Sequence, residues 1–149
     1  MSFVANGITT PSNITITSGT FFPTISLDDI RNDARIDGSV TDSRLRQIVL
    51  EEVIDVNRLL SRLVMTADTL AELAKSVVDD KPDTVVLYFS AVANGVAAKT
   101  YEKYRNYDAT NSGHKRADEL TPSIDEYRRN KHWAIQQLLG ENHTIVELI

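Results

Sequence analysis

The chain has 149 residues, a formal net charge of -5 and no cysteine. That length is one domain's worth, enough to bury a core without staples. The composition excludes disulfides and cysteine-ligated zinc, and the acidic balance argues against a protein whose main task is gripping phosphates.

Residues 1–24 hold no charged side chain and are rich in Thr, Ser, Asn, Gly and Pro. They read either as an extended arm over residues 1–25, with one weak strand signal at Ile14-Thr15-Ile16-Thr17, or as a disordered terminus. The stretch Met1-Ser-Phe-Val-Ala-Asn-Gly has neither a basic n-region nor an apolar h-region, so no secretory signal is expected. No apolar run approaches the ~20 residues of a membrane helix. Ser26 can cap a short helix that runs to about Arg35, with Asp29 near its positive end. Asp37-Gly38-Ser39 reads as a turn. Thr41 or Asp42 caps the next helix, whose stripe is Leu45, Ile48, Val49, Val53, Val56, Leu59, Leu60 and Leu63. Spacings of three and four make this the clearest amphipathic helix in the chain. A short helix from Leu70 to Lys75 follows.

Val85 to Tyr104 admits two readings. Val85-Val86-Leu87-Tyr88-Phe89 looks like a strand, and Asn94-Gly95 is a hairpin signal. The flanking alanines prefer helix, and Leu87, Ala91, Asn94, Ala98 and Tyr101 keep helical spacing. A central buried helix is therefore predicted, with Pro82 suited to its first turn. Gly95 costs about 1 kcal/mol there relative to alanine, so it needs a packing reason or marks a kink. Asn106 to Glu119 reads as a polar connection. Thr121-Pro122 opens the last helix, with Ile124, Tyr127, Ala134, Ile135 and Leu138 buried, Asp125 and Arg129 paired outside, and Gly140 as its stop. Residues 141–149 form a β-prone, apolar tail. The expected class is all-α: an antiparallel bundle of about four to five helices over residues 26–140, with an extended arm before it and a docking tail after it.

Chemistry is hard to find. His114, His132 and His143 lack metal spacing, and no phosphate loop or nucleophile elbow occurs. Glu51, Glu52 and Asp55 could do acid/base work, but Arg58 and Arg62 at ion-pair spacing favour a solvated face. Tyr101, Tyr104 and Tyr107 recur every third residue; a core edge or subunit contact is preferred to base stacking. Lys115 and Arg116 could touch a nucleic-acid backbone or an acidic partner, or be a plain surface loop. The residues indicate a non-enzymatic, partner-binding domain with no cofactor.

Several stretches carry a resemblance. They are Phe21-Phe22-Pro23, the run from Arg35 to Arg46, Tyr104 to Thr110, Lys115 to Asp118, Ser123 to Arg129, Ala134, and Thr144 to Ile149. In order and spacing the chain resembles the phage head completion protein family (GPL) of contractile-tailed phages. The resemblance implies a virion protein at the head–tail junction, assembled in the host bacterial cytoplasm. It implies a connector or adaptor ring in the neck, under the portal protein, that retains packaged double-stranded DNA and offers a platform to a neck or tail-terminator protein. By analogy with other phage adaptors the homo-oligomer would be a dodecamer, with no membrane involved. Ile145, Val146, Leu148 and Ile149 are then expected to dock on the portal or a neighbouring subunit. The alternative is a small helical DNA-binding regulator, because the first two helices loosely follow a helix-turn-helix. Against it, the second helix is too long and carries Glu51, Glu52 and Asp55.

Overall fold

The computed structural model describes residues 10–107 and 111–141, and the side chains of all of these except 104–122. Among the described residues the chain is mainly α-helical, with four α-helices and two small antiparallel strand pairs. In the first pair, Thr15–Ile16 (β1) lies against Ile25–Ser26 (β2), Ile16 opposite Ile25. Of the stretch read as an arm, residues 10–25 lie on the body. Ile16, Phe21 and Ile25 are buried in the common core. Ser12 and Asn13 backbone N–H groups donate to Asp28 at 3.0 Å each, and these bonds hold the Asp28 carboxyl below its ordinary pKa. Leu70 N–H donates to Phe21 C=O at 2.9 Å.

The local capping signals translate directly. Leu27–Asp33 (α1) is capped by Ser26, whose hydroxyl accepts from Asp29 N–H. Asp42–Leu59 (α2) is capped by Thr41, which accepts from Arg44 N–H. Leu45, Ile48, Val49, Val53 and Val56 are buried on α2. Each is worth ~1.5–3 kcal/mol when removed from water. The expected stripe ran further than the helix does. After Leu59 the chain tightens into a 3₁₀ turn at Ser61–Leu63, leaving Leu60 buried and Leu59 exposed. The short helix expected at 70–75 is a 3₁₀ turn over Leu70–Leu73.

A hairpin absent from the sequence reading comes next. Val77–Val78 (β3) pairs antiparallel with Lys81–Pro82 (β4). Asp79 and Asp80 fill the two-residue turn at φ 50° and 58°, the backbone that a primed hairpin turn demands and that asparagine or glycine usually supplies. Pro82 ends this strand; it does not open a helix. Asp83 ties the hairpin down: its carboxylate accepts from Lys75 and Ser76 N–H and from the Ser76 hydroxyl, while its own N–H donates to Ser76 C=O.

Asp83–Tyr107 (α3) is the central helix, so the helical reading over the Asn94-Gly95 hairpin holds. Tyr88, Ala91, Val92, Ala93, Val96 and Ala97 are all buried. Tyr88 stacks on Phe22 at 5.4 Å and donates to Asn57 Oδ1 at 2.7 Å; Asn57 in turn donates to Ser18. Burial pushes the Tyr88 hydroxyl up to about 12. A phenol with a raised folded pKa stabilises the fold fully below its ordinary value near 10, and that contribution is lost as pH rises through 12. The expected result is one of the five tyrosines ionising near pH 12 by ultraviolet titration, in step with a fall in stability. Tyr88→Phe should remove both signals.

Asn111–Leu139 (α4) is longer than expected. Its backbone is helical from Asn111, where a polar connection was read, and Thr121-Pro122 lies inside it. A proline within a helix removes one backbone hydrogen bond and costs about 3 kcal/mol. Extensive packing of α4 along α3 and the buried Ile124, Ala134, Ile135 and Leu138 offset that loss. Asp125 does not meet Arg129: Arg128 takes Glu102 at 2.7 Å and approaches Asp125 at 4.0 Å, and Arg129 lies over the Trp133 ring. At the far end Gly140 adopts φ 73°. Gly140 N–H donates to Gln137 C=O and Glu141 N–H to Gln136 C=O, the paired bonds of a Schellman stop. Arg62 closes this end, donating to Leu139 C=O at 3.0 Å and Glu141 at 3.3 Å.

Candidate functional site

Among the described residues no three His, Cys, Asp or Glu side chains could hold a metal ion, and no helix is long and apolar enough to cross a membrane. The described surface is organised first by how its charges are placed.

Of the acidic cluster of α2, Glu51 and Asp55 are exposed, as a solvated face requires, but Glu52 is not. Glu52 is only 2% exposed. Its carboxylate meets Lys131 of α4 at 2.7 Å and Lys99 of α3 at 3.2 Å. Lys131 also reaches Asp55 at 2.5 Å, and Lys99 reaches Glu51 at 3.6 Å. Burial alone would lower the Lys131 pKa, but its bonds to Asp55 and Glu52 outweigh that and leave it raised. The cluster therefore clamps α2, α3 and α4 together, with no carboxylate left free for acid/base work. Gly95 makes room for it: a Cβ at that position would lie 1.9 Å from Glu52 Oε2. That is the packing reason the sequence required of this glycine.

An open cleft of about 560 Å³ lies between the α1–α2 loop, the first turns of α2 and the last turns of α3. Val40, Ile48 and Thr100 form its buried floor; Arg44, Gln47 and Lys103 stand on its rim. Its loop wall is built around Arg31, a buried guanidinium. Nη1 donates to Asp37 C=O at 2.7 Å and Ile36 C=O at 3.4 Å; Nη2 donates to Val40 C=O at 3.0 Å and to Asp42 at 2.8 Å. Asp37 turns the loop by accepting from the Ser39 hydroxyl and N–H, which lowers its pKa. Ser39, Val40 and Arg44 of the Arg35–Arg46 run thus form one wall of the cleft.

Tyr101 is half-buried within the subunit. Its hydroxyl donates to Ala34 C=O at 3.1 Å and its ring stacks on Tyr127 at 5.7 Å, which puts it at a core edge joining α1, α3 and α4. The side chains of Tyr104, Tyr107, Lys115 and Arg116 lie outside the described residues, as do Ile145, Val146, Leu148 and Ile149. The sequence reading missed Arg31 and the 77–82 hairpin, and it named Glu52 without its burial. Arg31 and Glu52 carry the charge of surface residues; the loop that follows α1 wraps the first, and α3 and α4 close over the second.

A family model for the phage head completion protein (GPL) matches residues 16–149. The head completion/stabilization protein of Escherichia phage P2 is 30% identical over 134 residues, covering 87% of this chain and 79% of that protein. No solved structure matches the chain.

Proposed function

Because the chain belongs to the phage head completion protein family, and so to the structural proteins of the virion, we propose that it acts as an adaptor ring beneath the portal. In this reading about twelve subunits encircle the exit channel, retain the packaged DNA and present a platform to a neck or tail-terminator protein. The observation that carries the proposal is the match over residues 16–149, which spans both the helical body and the tail. The geometry supplies compatible parts. The Schellman stop at Gly140 and the Arg62 bonds to Leu139 and Glu141 fix the end of α4. From there Ile145, Val146, Leu148 and Ile149 dock on the portal or a neighbouring subunit by strand addition or groove filling. Tyr104 and Tyr107 make subunit contacts, and Lys115 and Arg116 meet DNA or an acidic surface. A net charge of -5 suits a ring that lets DNA slide past, since phosphate gripping scales with the number of neutralising cations.

Electron microscopy of the protein mixed with its portal tests the proposal. A ring of density on the portal face is expected; bare portals beside isolated subunits would refute it. A chain truncated after Glu141 keeps the capped body, so it should unfold at an unchanged denaturant midpoint yet form no ring on the portal. Normal head completion by the truncated chain would rule out the docking role of the tail.

A further inference from the structure

Two surfaces at opposite ends of α3 complement each other. At its start, the 77–82 hairpin projects Val77 and Val78, 65% and 63% exposed, behind a tip made of the exposed carboxylates of Asp79 and Asp80. The hairpin forms a sheet of its own with only these two strands. A two-stranded pair is marginal in water unless something holds it, yet this one is secured by Asp83 and keeps its apolar residues outside. Toward the other end, the cleft has an apolar floor at Val40 and Ile48 under the rim cations Arg44 and Lys103. Among the described residues Arg44 makes no ion pair, while Lys103 is drawn toward Glu51, a carboxylate that also attracts Lys99. Asp83 and Thr100 are 17 residues apart in one helix, a rise of ~26 Å. A single chain therefore cannot insert its own hairpin into its own cleft.

We propose that the hairpin of one copy seats in the cleft of the next. One of the two valines, which point to opposite faces of the hairpin, covers Val40 and Ile48, and Asp79 and Asp80 meet Arg44 and Lys103. The contact is heterologous, the type that generates rings when its rotation closes and filaments when it does not. Apolar burial would supply the affinity and the charge pairing the register. This inference rests on the ring reading and names the surface that builds it.

The chain has no cysteine of its own, which makes the contact testable by cross-linking in heads completed with variant chains. A chain carrying both Asp80→Cys and Arg44→Cys should yield, on oxidation, a ladder of disulfide-linked multimers. Either single variant, having one thiol, can give no more than dimers. Reversing the tip with Asp79→Lys and Asp80→Lys should weaken ring assembly about tenfold or more, and adding Arg44→Glu with Lys103→Glu should restore it. All four positions are exposed; because Asp79 and Asp80 lie at positive φ, Asp79→Asn with Asp80→Asn, which suit that backbone, should weaken assembly in the same direction if charge and not turn strain is responsible. Rings seen by microscopy without a ladder would overturn this contact and leave the ring standing. Portals without any ring would overturn both.

Discussion

Gly95→Ala is expected to destabilise the protein by about 2 kcal/mol, although alanine is the better helix former by about 1 kcal/mol. The added Cβ would sit 1.9 Å from Glu52 Oε2 and 2.6 Å from its carboxyl carbon. A glutamate end can ordinarily swing away. Here it is held by Lys131 and Lys99 in a site 2% exposed, so moving it breaks buried ion pairs or strains the helix packing, at a cost of ~1–3 kcal/mol or more. The diagnostic result is a change of sign. Glu52→Ala alone should cost about 3 kcal/mol, because it leaves Lys131 and Lys99 facing one another with only Asp55 and Glu51 as partners. In that background, adding Gly95→Ala removes no contact and fills vacated space, so it should stabilise by about 0.5–1 kcal/mol. Denaturant midpoints of the four chains measure the cycle. Additive effects would show that glycine and carboxylate do not share the space.

Arg31→Ala should be the most damaging single change in the α1–α2 region, at about 3–5 kcal/mol. Three backbone carbonyls and the Asp42 carboxylate converge on one guanidinium that is 5% exposed. Removing it leaves buried acceptors unpaired, which costs more than the bonds themselves are worth. Arg31→Lys should recover only part, since a point ammonium cannot reproduce a planar fork with several donors. The loss should be local first. Hydrogen exchange at Val40, whose N–H bonds to Asp37 C=O at 3.3 Å, should accelerate before that in α3. Equal acceleration throughout would instead indicate global unfolding. Because Val40 floors the cleft, Arg31→Lys should also weaken whatever docks there.

Short-range signals were the legible part of this chain. Ser26, Thr41 and Gly140 bracket helices through bonds that span three to five residues, and the stripe of α2 depends only on its own spacing. The readings that failed depended on partners far away. Glu52 looks like one of three surface carboxylates until α3 and α4, with Lys99 and Lys131, close over it. Thr121-Pro122 is a sound helix start by local rules, yet packing against α3 carries α4 through it from Asn111. The 77–82 hairpin lacks the Asn-Gly signal because Asp79 and Asp80 take up its left-handed backbone. Of the candidate site, the loop sequence 35–46 was visible only as one of several stretches that carry the family resemblance. Its meaning was not, because the cleft exists only where that loop meets Thr100 and Lys103.

The Ser18–Asn57–Tyr88 chain of hydrogen bonds also bears on the order in which the molecule is made. Synthesis proceeds from the N-terminus, and domains fold as units once their elements are present. A nascent chain that has emerged only to residue 80 contains β1, β2, α1 and α2. It lacks Tyr88, which receives Phe22 and Asn57, and it lacks Lys99 and Lys131, without which Glu52 would be a bare charge in an apolar seam. The early segments should therefore gain their full set of partners only once Tyr88, Lys99 and Lys131 have been translated. Folding should then arrive in one late step, led by the α3–α4 pair, whose members are neighbours in sequence and cheap to bring together.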